Sequence, residues 1–76
     1  MKLVQDTASV WDTYMIEGYP FGIEKIDAHD WVVFRLFGSR RVYLRDTGFI
    51  SKAQAHDYLV PIVENYRSSI ITAVVA

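Results

Sequence analysis

The chain contains no cysteine. Disulfide staples, thiolate chemistry and zinc sites of the cysteine type are therefore excluded. Domains this small often rely on such staples, so stability here must come from packing or from a partner. Glycine is sparse, with four residues dispersed along the sequence. No glycine-rich loop of the phosphate-cradling kind can be built from them. A long apolar run is missing as well. Lys2 is followed by a short apolar pair and then by polar residues, which is not the core of a secretory signal. The tail from Ile70 to Ala76 is too short to span a bilayer. These absences lead to the expectation of a soluble, cytoplasmic protein with no membrane partner. There is no linker and no low-complexity stretch. The tripeptide Ala-His-Asp occurs at 28–30 and again at 55–57, but its flanks do not match, so it is not a repeat.

What is present is 76 residues, 51% apolar and 22% charged. That composition folds, as a single domain spanning 1–76, but leaves little chain to surround a catalytic cleft and still keep a full core. The net charge of −1 hides an asymmetry. Residues 1–30 set two lysines against six carboxylates, a net −4. Residues 31–52 set four arginines and one lysine against Asp46, a net +4, and residues 53–76 set Arg67 against Asp57 and Glu64, a net −1. The molecule is expected to be dipolar, with a basic middle.

Hydrophobic spacing predicts a helix over 6–17. Asp6 or Thr7 would cap it, Val10, Trp11, Tyr14 and Met15 would share a face, and Gly18 would follow its last turn. The β-branched and aromatic residues of the same segment also suit a strand. Pro20 enforces a break at 18–22. Strands are expected at 22–28, 31–37 and 40–45, with Gly38-Ser39 as the turn between the last two. A helix is expected over 51–67, with Ser51 and Gln54 as a capping box. Ala55, Tyr58, Leu59, Ile62, Val63 and Tyr66 would line its buried side, and Pro61 would kink or restart it. The β-branched residues of 69–75 suit either a short final strand, which is favoured, or a frayed helix end. The expected fold is a small two-layer α+β domain: a three-stranded antiparallel sheet packed on a C-terminal helix, preceded by an N-terminal helix.

The register of the 31–45 hairpin can be argued from its faces. Val32, Phe34 and Leu36 form one apolar face, and Val42 and Leu44 form the aliphatic face of the return strand. Putting both on the core side makes residue 34 oppose 42, which requires a three- or five-residue loop, or a bulge beside Gly38. A two-residue loop would instead set Arg41 and Arg45 beside Leu36 and Val32. The first register leaves Trp31, Val33, Arg35 and Phe37 with Arg41, Tyr43 and Arg45 on the opposite, outward face. The competing reading makes Trp31, Val33 and Phe37 core beneath the first helix, with arginines snorkelling at its edge.

Catalytic constellations are not assembled. The pairs His29-Asp30 and His56-Asp57 lack the further ligands a divalent metal needs, so no metal and no cofactor is expected. Ser39, Ser51, Ser68 and Ser69 occupy turn, cap and helix-end positions, with no base or strained elbow to activate them. Glu24, Asp27 and Asp30 read as a solvated acidic rim. The chain is not expected to be an enzyme.

The segments Trp31-Val32-Val33-Phe34-Arg35, Gly38-Ser39-Arg40-Arg41-Val42-Tyr43-Leu44 and Thr47-Gly48-Phe49-Ile50-Ser51-Lys52-Ala53-Gln54-Ala55 resemble the AP2-like, arm-type DNA-binding domain of phage integrases. There an aromatic strand leads through a glycine turn to a basic strand and a Gly-Phe-x-Thr/Ser-Lys-x-x-Ala helix start. The resemblance covers 31–67. It implies a three-stranded sheet on one helix, lying in the DNA major groove, with Arg35, Arg41, Tyr43 and Arg45 facing DNA. The charge balance favours a different partner, because stand-alone nucleic-acid binders are usually strongly basic. In size and lack of catalytic residues the chain is similar to small phage inhibitor proteins, anti-CRISPR proteins included. The expectation is a non-catalytic interaction protein that occludes a site on a larger protein or nucleoprotein complex. Its surface would comprise Trp31, Arg35, Phe37, Arg41, Tyr43 and Arg45, with Arg40 reaching the rim. DNA binding by the same face is the alternative, and a homodimer through the C-terminal segment is a further one.

Overall fold

The computed structural model describes residues 1–44 and 48–75, with side chains described through Ile70. Five strands and one helix follow in order: β1 (Leu3–Gln5), β2 (Asp12–Ile16), β3 (Phe21–Asp27), β4 (Asp30–Phe37), β5 (Arg40–Tyr43) and α1 (Lys52–Val75). The strands form one antiparallel meander in the spatial order of the sequence. The helix packs against β3 and β4. The fold is thus α+β, but with five strands where three were expected and without an N-terminal helix.

The expected helix at 6–17 is a hairpin instead. Leu3 pairs with Ile16 and Gln5 with Tyr14, while residues 6–11 form the loop between β1 and β2. The strand alternates: Thr13 and Met15 point to one face, Tyr14 and Ile16 to the other. The helical spacing would have buried Val10 and Trp11, yet they stand 94% and 60% exposed. Gly18 does adopt a left-handed conformation, φ +82°, but in the turn from β2 to β3, where Tyr19 N–H donates to the Ile16 carbonyl at 3.1 Å. A helix end and a tight turn both call for that conformation, so Gly18 alone could not separate them.

The β4–β5 register also differs from expectation. Phe34 pairs with Tyr43, Arg35 with Val42 and Phe37 with Arg40, which leaves Gly38-Ser39 as a two-residue turn. Gly38 has φ +63°, and among the described residues only Gly18 shares a positive φ. A glycine at the first loop position followed by a residue of negative φ is the signature of a type II′ turn, whose twist matches the strands it joins. No bulge is needed. The shift carries Val42 and Leu44 to the face of Val33, and Arg41 and Tyr43 to the face of Phe34.

The helix starts as its sequence predicts. The Ser51 hydroxyl accepts from Gln54 N–H at 3.2 Å, and the Gln54 side chain reaches back to Ile50 N–H at 3.2 Å. Ala55, Leu59 and Val63 are fully buried at intervals of one turn, flanked by Tyr58, Ile62 and Tyr66. The helix continues past Pro61 and absorbs 69–75, so the expected final strand is not formed. A proline in mid-helix forfeits one bond to the Asp57 carbonyl, and here it sits on the exposed side. Across from the helix stripe lie Ile16, Phe21, Ile23, Trp31 and Val33, all buried. This is the core, and it occupies one side of the sheet only.

Candidate interaction surface

The helix covers the face of Trp31 and Val33, and among the described residues no second layer lies over the other face of the sheet. Antiparallel sheets with one wet face usually present polar side chains there. This one sets an apolar row beside a polar cluster. One row of paired residues crosses all five strands: Val4, Met15, Gly22, Phe34 and Tyr43. Val32 and Leu36 flank Phe34 on β4, half-buried on the same face. Val4 and Tyr43, at the two ends of the row, are exposed.

Phe34 is 0% exposed although no helix lies over it. Its cover is a side chain of its own sheet. Arg41 extends across the ring, with the guanidinium carbon 4.2 Å from the centroid, and ends in an ion pair with Glu24. Tyr43 closes the remaining side edge-on, ring centroids 6.2 Å apart. Beneath the ring Gly22 leaves the space that a side chain would fill: an added Cβ would meet Phe34 Cζ at 2.5 Å and the Tyr14 carbonyl at 2.9 Å.

Glu24 is the polar centre of this face, 3% exposed. One carboxylate oxygen takes the Arg41 guanidinium and the Thr13 hydroxyl at 3.4 Å, and the other faces the Tyr43 hydroxyl at 3.4 Å. Thr13 is linked in turn to the Ser9 hydroxyl at 3.0 Å. A buried carboxylate persists only when such partners satisfy it. The expected solvated rim at Glu24 is thus an internal anchor. Sequence reading missed it because Glu24 acquires its role only when β3 lies between Thr13 on β2 and Val32 on β4.

The seven residues expected to form one outward face are divided. Trp31 is buried under the helix, against Tyr14 at 6.1 Å between ring centroids. Arg35 lies on the same covered side, over Phe21 and Tyr66. Phe37 and Arg40 are exposed as a pair beside the β4–β5 turn, also on the helix side. Arg41 and Tyr43 are on the open face, and Arg45 lies outside the described residues. Of the competing reading, Trp31 and Val33 are core, but under the C-terminal helix and not a first one, and Phe37 is exposed.

The histidine pairs remain apart from any site. His56 Nε2 lies 2.9 Å from the Met1 carbonyl and its Nδ1 3.6 Å from Asp57, while His29 is exposed in the β3–β4 turn. Among the described residues no three metal-ligating side chains converge, and no helix is long and apolar enough to cross a membrane. No family model, curated protein or solved structure matches the chain.

Proposed function

We propose that the protein is a non-catalytic binding module that docks its helix-free sheet face against an apolar surface of a larger protein and so occludes it. The observation that carries this reading is the set of accessible apolar residues on the helix-free face, Val4 and Tyr43 exposed and Met15, Val32 and Leu36 half-buried, around the covered Phe34. Apolar side chains clustered on an open face in this way mark an interaction site. Its central polar groups, Thr13, Arg41 and Tyr43, already converge on Glu24, so docking over Phe34 leaves that carboxylate and the Arg41 guanidinium paired. Tyr43, exposed and amphipathic, is the natural anchor. An inhibitor of a host complex, of the size class that phage inhibitors occupy, works by this kind of occlusion.

DNA binding through the same region draws less support from the geometry. Phosphate contacts require cations that share a face. Arg41 is spent on Glu24, and Arg35 and Arg40 stand on the opposite side of the sheet. Quantitative affinity capture with three baits separates the readings. Proteins retained by the wild type should be kept by Trp11→Ser and lost with Leu36→Asp. Retention by Leu36→Asp, or capture of nucleic acid in their place, would overturn the proposal.

A further inference from the structure

The two ends of the sheet are chemically opposite. At one end, the β1–β2 loop and the last residues of β3 enclose an open cleft of about 610 Å³. Its apolar part is Val10, Trp11 and Ile26, which stand 94%, 60% and 51% exposed. Its acidic part is Asp6, Asp12 and Asp27. Asp6 and Asp27 accept from the nearby backbone N–H groups of Ala8 and Ala28, and among the described residues none of the three forms an ion pair. Lys25 also lines the cleft, but its ammonium lies 5.8 Å from the ring centroid of Trp31, on the helix side. Leu44 and Phe49, which bracket residues 45–47, bond to β4 on its edge away from β3, so β4 stands between them and the cleft.

At the other end, β4 and β5 meet in the Gly38-Ser39 turn, flanked by the cross-strand pair Phe37 and Arg40. Phe37 is 47% exposed, with the Arg35 guanidinium carbon 4.4 Å from its ring centroid. Arg40 is exposed, and among the described residues no carboxylate pairs with it. A ring and an unpaired cation on a narrow hairpin tip are the complement of an indole set among carboxylates. We propose that the cleft receives the β4–β5 hairpin tip of a second copy of this chain, so that copies associate head to tail. Arg40 would lie on the Trp11 indole beside Asp12 and Asp27, and Phe37 against Val10 and Ile26. A guanidinium suits both halves of such a cleft, since it stacks through its face and pairs through its edge. Cleft and tip lie at opposite ends of β4, so the contact is heterologous. Each pair keeps one cleft and one tip free, and assembly continues to a chain or a closed ring. These residues are not those of the docking face, and the inference does not depend on that assignment.

Sedimentation velocity over a concentration series of the full chain tests it. At low salt the weight-average mass should rise with concentration. In about 1 M sodium chloride association should weaken at least about tenfold, because exposed charges are then screened. Arg40→Glu and Asp12→Lys should each weaken it at least about tenfold. An equimolar mixture of the two should recover it, as the intact cleft of the first takes the intact tip of the second. The salt series on the wild type stands alone should a variant not fold. A mass of one chain at every concentration would overturn the proposal. So would association that salt leaves unchanged or strengthens, the signature of pairing through an apolar face. Folded variants that associate as the wild type does, or that fail to recover on mixing, would overturn it as well.

Discussion

Glu24 shows how a single side chain can decide what a sheet face is. Three groups from β2 and β5 converge on its carboxylate, and one of them, Arg41, is thereby held across Phe34. Removing the acid strands the guanidinium over an aromatic ring and leaves Thr13 without its acceptor. Glu24→Ala is expected to cost about 2 kcal/mol in denaturant unfolding, moderated because Arg41 can turn to solvent. Replacing both partners, Glu24→Leu with Arg41→Met, should recover most of that loss, since a paired charge and a well-packed apolar pair are close in energy. Gly22 is the complementary case. Its missing side chain is the floor on which Phe34 rests, so Gly22→Ala should destabilise by roughly 1–3 kcal/mol through overpacking. Chemical denaturation with an unchanged m-value would confirm that the effect is on the native state.

At the scale of elements, local chemistry was legible and facial choice was not. The helix start followed from Ser51 and Gln54, and its buried stripe from Ala55, Leu59 and Val63, because capping and spacing are properties of adjacent residues. Ser51→Ala is expected to lower stability by about 1 kcal/mol, read from thermal unfolding. Residues 12–16 were misread because β-branched and aromatic residues at 13, 14 and 16 satisfy both periods over so short a span, and Gly18 punctuates either element. The β4–β5 register was misread for a different reason. Aligning Val32, Phe34 and Leu36 with Val42 and Leu44 requires that every aliphatic side chain share the core. Instead the sheet is apolar on both sides, and Arg41 lies beside Leu36 at little cost because Glu24 receives it. Of the open face, Val32, Phe34 and Leu36 were expected under the helix, and only Arg41 and Tyr43 outward. The partnership of these residues was not legible, since it depends on contacts between strands far apart in sequence.

For the whole molecule, the consequence is a two-layer domain with an apolar outer side. A chain of 76 residues has one helix with which to cover a five-stranded sheet. It spends that helix on the face of Trp31 and Val33 and leaves the face of Phe34 to the Arg41 side chain. The docking proposal and the loss of the expected aromatic-arginine surface both follow from that one choice of side. Tryptophan fluorescence reports on it directly, because Trp11 is exposed and Trp31 is not. In the Trp11→Phe variant the remaining indole should emit at short wavelength and resist acrylamide quenching until the protein unfolds. Emission at the wavelength of free indole, with quenching as strong in the native protein as in denaturant, would place Trp31 in solvent and contradict the account.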